Sequence, residues 1–303
     1  MKQNTVFASL LLCSILNVTA HGAVYLSLEE LERSTEFAQQ SVFDPVGSFA
    51  TPTTSPWGSG VLISEDWVLT AGHVGDNFNI TEFRLGRDSL NPTHTRSIAE
   101  VVIHPGWPIG ANNISGVPDL ALMRLATPIT DVATATRYRG EDIPPRYANN
   151  YHQTEYLMAG FGDHGVANIQ LDEDSFMRAG RNMLRYIFDD FNLIVYSNET
   201  TVTSILDMEW KGAPGDSGGG WFQLVDGEYQ LSGITVVGGT PFEYPSFTGA
   251  VSVSQFNDWI DSVVAVPEPS SSFLLASIGA ICISRRVHRR RGIKSRQRNL
   301  LAL

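Results

Sequence analysis

Short runs of apolar and β-branched residues recur along residues 41–264 of the 303-residue chain, separated by Gly, Pro, Asn and Asp. Each run has the length and composition of a β-strand, and many such runs at short spacing are typical of a β-sandwich or barrel. The predicted strands are 60–63, 67–70, 99–103, 120–125, 156–161, 193–196, 220–225, 231–237 and 249–253. Because neither a strand–helix alternation nor a sequence repeat accompanies them, we predict an all-β fold.

Two segments at the edges of this region have a different pattern. Apolar residues recur at helical spacing over residues 253–264, which predicts one helix at the end of the region. Residues 24–40 are polar, with a partly helical pattern of apolar residues among glutamates. We interpret residues 24–40 as an N-terminal arm or a propeptide.

The first 23 residues have the pattern of a secretory signal peptide. Lys2 is followed by an apolar run from Val6 to Val18 and by small residues up to Ala23. A basic start, a short apolar run and a small-residue exit are typical of the substrates of signal peptidase, and the run is too short to cross a bilayer. We therefore predict an exported protein that loses residues 1–23; a buried first helix is the alternative.

Residues 265–303 contain three parts in a fixed order. The motif Pro267-Glu268-Pro269 is followed by an apolar run over 273–283 and then by an arginine cluster that begins at Arg285. This order resembles the bacterial PEP-CTERM sorting signal, which implies processing by an exosortase-type membrane enzyme. Arginines after an apolar run favour a cytoplasmic position for that end. We therefore expect residues 273–283 to anchor the chain transiently in a membrane; a disordered basic tail is the alternative.

Charge is divided unevenly between the body of the chain and its ends. Residues 24–266 hold 31 of the 32 acidic residues but only 12 of the 21 basic ones, so their net charge is −19, against −11 for the whole chain. This acidic surface argues against a nucleic-acid partner, which requires a basic face. Both cysteines, Cys13 and Cys282, lie in the end segments, so the body has no disulfide and depends on its apolar core.

One glycine-rich stretch is a candidate for catalysis: Gly215-Asp216-Ser217-Gly218-Gly219. Glycine allows unusual backbone dihedral angles and close approach to another group, so a serine in this setting suits nucleophilic attack. The N–H groups of Gly215 and Ser217 would then point toward one position and bind a developing oxyanion. A surface turn with a chance serine is the alternative, and it is excluded only by a base and an acid elsewhere in the chain.

A histidine and an aspartate are the candidates for that base and that acid. His73 follows the predicted strand 67–70, where a rigid sheet would hold it at the surface. Its neutral imidazole can accept the serine proton near pH 7. Asp119 directly precedes the predicted strand 120–125, where a half-buried carboxylate can accept the Nδ1–H of a histidine. Taken alone, each of the two is more often a structural residue.

A resemblance to the trypsin/chymotrypsin family of serine peptidases rests on three segments in this order: Leu69-Thr70-Ala71-Gly72-His73, Asp119-Leu120-Ala121-Leu122 and the stretch around Ser217. The resemblance covers residues 41–264. It implies two six-stranded antiparallel β-barrels with a C-terminal helix, and an active site in the cleft between the barrels. It also implies that Ser217 attacks a peptide carbonyl, that His73 transfers the proton, and that Asp119 orients His73. The amides of Gly215 and Ser217 would form the oxyanion hole.

The chain departs from the pattern of that family in its specificity pocket and in its activation. Lys211 takes the position of the acid at the floor of the trypsin-like pocket, which would disfavour basic substrate residues and favour acidic ones. Val236-Val237-Gly238 replaces the usual Ser-Trp-Gly wall, so we place the specificity pocket at Lys211, Val236 and Gly238. No Ile-Val-Gly-Gly type sequence, where family zymogens are cut, precedes residue 58. Asp216 therefore pairs either with the signal-cleaved N-terminus or with another partner.

These features predict an exported serine endopeptidase that cleaves protein or peptide substrates through a His-Asp-Ser triad and an acyl-enzyme. The alternatives are a catalytically silent binding module of the same fold and an esterase with the same triad. We expect no cofactor, and neither the acidic cluster 172–174 nor the histidines have the ligand spacing of a metal site. The expected location is the cell envelope or the exterior of a bacterium, after C-terminal sorting.

Overall fold

The described part of the chain begins with a short strand and a helix. The structure is a computed structural model that describes residues 23–51, 57–77, 79–110, 117–140, 154–167, 172–184, 186–190, 193–197, 206–238 and 247–265. Strand β1 (Ala23–Tyr25) is followed by helix α1 (Leu28–Phe37). Ser27 caps α1, because its hydroxyl oxygen accepts a hydrogen bond from the N–H of Glu30 at 3.2 Å. The helix that the pattern of residues 24–40 indicates is thus present. The pattern does not indicate the buried strand β1, which begins at Ala23.

Six antiparallel strands then close into a barrel in the order β2-β3-β4-β7-β6-β5. They are β2 (Val46–Ala50), β3 (Gly58–Leu62), β4 (Trp67–Thr70), β5 (Glu82–Leu85), β6 (His94–Ile103) and β7 (Ala121–Leu125), with the one-turn helix α2 (Gly72–Gly75) after β4. The rings of Phe49 and Phe83 pack 5.3 Å apart in the barrel. A Cβ at Gly47 would overlap the ring of Phe83, so glycine is required there.

A larger antiparallel sheet follows. The strands in this part of the chain are β8 (Glu155–Gly160), β9 (His164–Val166), β10 (Arg178–Met183), β11 (Tyr186–Asp190), β12 (Leu193–Ser197), β13 (Gly220–Val225), β14 (Glu228–Gly238) and β15 (Thr248–Ser252). All but β9 form a sheet in the order β10-β8-β13-β14-β15-β12-β11, and β9 pairs with β1. Because the two edge strands, β10 and β11, are only two residues apart in sequence, the sheet must curl until its edges approach each other.

The predicted all-β class, closed six-stranded barrel and C-terminal helix are confirmed, and the second half differs in strand number. Seven strands are present in the described sheet instead of six. Helix α3 (Asn257–Val264) follows a 3-10 turn at Ser254–Phe256, inside the predicted range 253–264. Large aromatic side chains fill the core of the sheet, among them Tyr25, Tyr156, Trp210 and Trp221.

The chain divides into a large unit, Met1–Ile260, and a C-terminal unit, Asp261–Leu303. Of the C-terminal unit the structure describes only residues 261–265. The predicted signal peptide, except for Ala23, and the sorting segment after residue 265 lie outside the described residues, and so does the apolar run 273–283. Within the described ranges, no helix is long and apolar enough to cross a membrane.

Candidate active site

His73 lies in α2, three residues after the end of β4. Asp119 lies two residues before the start of β7. Strands β4 and β7 are antiparallel neighbours, and Thr70 at the end of β4 is paired with Ala121 at the start of β7. The sheet therefore brings the histidine and the aspartate to the same end of two adjacent strands.

The carboxylate of Asp119 holds both the backbone and the ring of His73. Its Oδ1 accepts a hydrogen bond from the N–H of His73 at 2.8 Å, and its Oδ2 lies 2.8 Å from Nδ1 of the ring. Gly72 makes this contact possible, because a Cβ at that position would lie only 3.0 Å from Oδ1 of Asp119. The predicted pair of His73 and Asp119 is thus in direct contact.

This arrangement fixes which ring nitrogen of His73 can act as a base. An ionised carboxylate only accepts hydrogen bonds, so Nδ1 must carry the proton and Nε2 of the neutral ring must carry the lone pair. The side chain of Asp119 is 9% exposed and that of His73 is 23% exposed. Trp107 shields the pair further, because its buried ring lies 6.3 Å from the ring of His73. The carboxylate of Asp119 is thus more shielded from water than the ring of His73.

Ser217 lies outside the strands, on a loop that is bonded to the first barrel through Ser59. The N–H of Ser59 donates to the carbonyl of Ser217 at 2.8 Å. The hydroxyl of Ser59 donates to the carbonyl of Gly215 at 3.0 Å and accepts from the N–H of Phe161 at 2.9 Å. One buried serine of β3 therefore links the Ser217 loop both to the closed barrel and to the segment after β8 of the seven-stranded sheet.

Close backbone packing sets the position of this loop relative to β4. Gly218 has a φ of +87°, and a Cβ there would overlap the carbonyl oxygen of Ser59 and the hydroxyl of Thr70. Thr70 is the last residue of β4, three residues before His73. A Cβ on Gly58 would lie 3.0 Å from the side chain of Val74 and 3.5 Å from the carbonyl oxygen of Ser217. The loop of Ser217 and the turn of His73 therefore lie side by side.

The predicted oxyanion donors are unused within the described part of the chain. Gly215 has a φ of +91°, and its carbonyl is turned toward Ser59. Neither the N–H of Gly215 nor that of Ser217 has an acceptor among the residues that the structure describes. Both donors are thus available to a ligand.

Asp216 is fully buried between these two residues. Its Oδ1 accepts from the N–H of Gly162 at 2.9 Å and its Oδ2 from the N–H of Ala213 at 3.1 Å. Burial raises the pKa of the Asp216 carboxyl from 3.8 to about 7; the two N–H groups and Arg178 act against this rise, and Asp163 adds to it. Backbone amides thus hold a carboxyl group whose partner the sequence left open.

The three residues of the predicted specificity pocket lie on two neighbouring segments. Lys211 is 1% exposed and Val236 is buried, whereas Gly238 is exposed at the end of β14. The hydroxyl of Thr248 accepts from the N–H of Gly212 at 2.9 Å. A Cβ on Gly238 would lie 3.3 Å from the carbonyl oxygen of Gly212, so the gap between the two segments is narrow there.

The acidic cluster 172–174 has a structural partner in Arg178. The carboxylate of Asp174 accepts two hydrogen bonds from the guanidinium of Arg178, at 2.7 and 2.8 Å. No group of three or more His, Cys, Asp or Glu residues in the described ranges is arranged to hold a metal ion.

Sequence reasoning missed Ser59 and Thr248. Ser59 stands between two glycines at the start of β3, and this is a signal for close approach of another segment. Thr248 belongs to a strand and has no comparable signal, because its role depends on a contact with a residue far away in sequence.

Comparisons with known proteins identify two regions of the chain. The sequence profile named Trypsin matches residues 35–260. The profile of the PEP-CTERM protein-sorting motif matches residues 265–291. That motif indicates export and sorting to the cell envelope in bacteria.

Individual relatives are also similar to this chain. Chymotrypsin-like elastase family member 1 of Bos taurus is 28% identical over 222 residues, which cover 68% of this chain and 78% of the relative. The protein of the same name from Homo sapiens is 28% identical over 220 residues, which cover 68% and 80%. Complement C1s subcomponent of Bos taurus is 36% identical over 84 residues, which cover 25% and 12%. Since the trypsin profile covers more than half of its residues, the chain belongs to the trypsin family.

Proposed function

We propose that this protein is an exported serine endopeptidase with Ser217 as nucleophile, His73 as general base and Asp119 as the residue that orients His73. The observation that supports this most strongly is the double hydrogen bond between Asp119 and His73, which leaves Nε2 free to accept a proton. The contact of Gly218 with the end of β4 supports the position of Ser217 beside that nitrogen.

The first half of the proposed reaction forms an acyl-enzyme. Oγ of Ser217 forms a bond to the peptide carbonyl carbon while its proton moves to Nε2 of His73. The carbonyl oxygen becomes an oxyanion, which the N–H groups of Gly215 and Ser217 bind. The C–N bond then breaks, and the proton on Nε2 moves to the departing amine. The carboxylate of Asp119 stabilises the positive charge that His73 carries in between.

The second half releases the acyl group. A water molecule takes the place of the amine and gives one proton to Nε2 of His73 as its oxygen bonds to the acyl carbon. The bond between that carbon and Oγ of Ser217 breaks, and the proton returns to Oγ. The products are a carboxylic acid and the regenerated hydroxyl, so no cofactor takes part.

For the substrate, we propose that Lys211, Val236 and Gly238 line the pocket next to Ser217. A buried cation disfavours a basic side chain beside it, and the narrow gap between Gly212 and Gly238 disfavours a long one. We expect peptides with Glu, Asp or Ala before the scissile bond to have a kcat/KM at least tenfold higher than peptides with Arg or Lys. A library of fluorogenic peptides measures this ratio, and a preference for Arg or Lys would contradict the assignment.

The export route is part of the same proposal. Signal peptidase removes the N-terminal signal, and an exosortase-type enzyme processes the chain near Pro267-Glu268-Pro269. Residues 273–283 anchor the chain in the membrane until that step. Intact masses of the protein from the membrane and envelope fractions test these two cuts.

Hydrolysis of an internally quenched peptide by the full mature protein tests the reaction. We expect a burst of one product per enzyme molecule with an activated ester, and steady cleavage of the peptide. The Ser217→Ala variant should lose about 10⁶-fold in kcat, because the nucleophile acts as one unit with its base. Ester cleavage without peptide cleavage would favour an esterase, and wild-type protein without either activity would favour a binding module.

A further inference from the structure

Strand β1 is hydrogen-bonded along both of its edges. On one edge, the N–H of Val24 donates to the carbonyl of Lys211 at 2.8 Å, and the N–H of Lys211 donates to the carbonyl of Val24 at 3.2 Å. On the other edge, β1 pairs with β9 in parallel register, with Ala23 opposite His164 and Tyr25 opposite Val166. A strand of three residues thus joins two segments that are far apart in sequence.

These two segments also carry the two supports of the Asp216 carboxyl group. Gly162, whose N–H donates to Oδ1, lies two residues before β9. Ala213, whose N–H donates to Oδ2, lies two residues after Lys211. Because the carboxyl group bridges the two donors, the distance between β9 and Lys211 must be kept for both bonds to form.

The backbone of Asp216 in turn sets the direction of the two predicted oxyanion donors, the N–H groups of Gly215 and Ser217. Its N–H donates to the carbonyl of Ala213 at 3.0 Å, and its carbonyl accepts from the N–H of Gly219 at 2.8 Å. Gly215 and Ser217 are its direct neighbours in sequence. A shift of Asp216 would therefore turn the N–H groups of both neighbours away from their common position.

Helix α1 lies outside the site and packs Leu31 and Phe37 against the core that contains Ala23 and Tyr25. Oε1 of Glu30 accepts from the N–H of Met208 at 3.1 Å, and Arg33 donates two hydrogen bonds to Asp207 at 2.8 and 2.9 Å. All three residues of β1 are at most 1% exposed. The trypsin profile begins only at residue 35, so β1 lies outside the part of the chain that it matches.

We propose that β1 is a positioning element of the active site and that its residues Val24 and Tyr25 remain in the mature enzyme. It holds β9 and Lys211 at the spacing at which Asp216 aligns the amides of Gly215 and Ser217. Val24 is the positioning residue, since it bonds to Lys211 and does not touch the substrate. This inference rests on the proposed peptidase function only for its catalytic consequence. Residues 24–40 are then an arm and not a propeptide.

The variant Val24→Pro tests the proposal in the full-length protein, because proline has no N–H to donate to Lys211. We expect kcat for an internally quenched peptide to fall about 100-fold, since an oxyanion donor is misplaced. Hydrogen exchange should show lost protection of the amides in residues 211–219, with protection of β3 and β7 kept.

A control separates positioning from general stability. Tyr156→Phe removes a buried hydroxyl from the core that β1 also contacts, without touching Lys211. We expect a lower melting temperature but an unchanged kcat and unchanged exchange in residues 211–219. If Val24→Pro lowers the melting temperature and leaves kcat and that exchange unchanged as well, β1 is structural only and the proposal is overturned.

The remaining outcomes are also decisive. If wild-type protein neither cleaves peptides nor reacts with a fluorophosphonate, the peptidase function fails, and the exchange experiment alone decides whether β1 holds the loop. If Val24→Pro does not fold, the N-terminus of the active wild-type enzyme decides. A fluorophosphonate-labelled mature protein that still contains Val24 and Tyr25 supports the proposal, and one that begins after Tyr25 overturns it.

Discussion

The closed barrel and the seven-stranded sheet support the candidate site by different means. In the barrel, His73 comes after the end of β4 and Asp119 comes before the start of β7. The pairing of these two strands sets the separation of the two residues. In the second half, Ser217 lies on a loop between β12 and β13. That loop is positioned by a serine from the barrel, by the buried carboxyl group of Asp216 and by glycine packing.

This difference predicts where each half is vulnerable. The His73–Asp119 pair depends on two side-chain contacts within a regular sheet, so it should be lost only when one of its members is changed. The Ser217 loop depends on several distant residues, so it should be displaced by substitutions that touch no catalytic group. The four experiments below test the comparison from the largest expected effect to the smallest.

Asp119→Asn should have the largest effect and should act through His73 alone. The amide cannot accept from both the N–H and the ring of His73, so the ring loses its orientation and tautomer, and kcat should fall about 10⁴-fold. Steady-state kinetics with the quenched peptide measure it. Asp131→Asn is the matched control, because Asp131 contacts His94 at 3.0 Å on the same barrel and is exposed; its kcat should be unchanged. Equal loss in both variants would contradict the role of Asp119.

Gly218→Ala should displace the loop from the barrel. A Cβ there overlaps Ser59 and Thr70 and also disfavours the positive φ, so the free energy of unfolding should fall by about 3 kcal/mol and kcat by about 100-fold. Chemical denaturation and peptide hydrolysis measure the two effects. Gly227→Ala is the control, since Gly227 has a similar φ of +89° with open space around it. It should lose only about 1 kcal/mol and keep its kcat.

Ser59→Ala and Ser48→Ala compare a loop support with a barrel serine. The two residues face each other across β2 and β3, and both are fully buried. Ser59→Ala leaves the carbonyl of Gly215 and the N–H of Phe161 without their partner, which should cost about 2 kcal/mol and lower kcat about tenfold. Among the described residues, Ser48→Ala breaks only the hydrogen bond with Ser89, so we expect a loss of about 1 kcal/mol and no change in kcat. Equal kcat values in the two variants would show that Ser59 does not position the loop.

Stability should also depend on the protonation of Asp216. Its folded pKa of about 7 lies above the unfolded value of 3.8, so the native carboxyl holds a proton that the unfolded chain releases between these values. The stabilisation is present below about pH 4 and is lost as pH rises to about 7, by at most about 1.4 kcal/mol per pH unit. Urea denaturation at several pH values measures the slope. Asp216→Asn should remove the part of this slope that Asp216 causes. An identical slope in the variant and the wild type would contradict the raised pKa of Asp216.

Much of the fold was predictable because regular strands carry their own signal. The apolar runs at Trp67–Thr70 and Gly220–Val225 coincide with β4 and β13. Strands β2 and β5 were not predicted, because they contain Gly, Ser, Glu and Arg whose places in the barrel depend on strand pairing. Strand β1 was hidden for another reason: three residues carry too little pattern, and its burial depends on Lys211, far away in sequence.

The candidate site divides in the same way. The types and order of His73, Asp119 and Ser217 were readable because the proposed peptide hydrolysis demands those residues. The partners of Asp216 were not, because they are backbone N–H groups of Gly162 and Ala213, and any residue except proline has one. Backbone donors leave no mark in a sequence until the fold places them.

The most direct test of the central claim is the mass-spectrometric location of a fluorophosphonate adduct on the mature protein. We expect one adduct per molecule, on Ser217, formed in wild-type protein and not in Ser217→Ala. Its rate should fall at least about 10³-fold in His73→Ala, because the hydroxyl loses its base. An adduct on another residue, or an equal rate in His73→Ala, would contradict the claim that the closed barrel and the seven-stranded sheet together assemble one nucleophilic site.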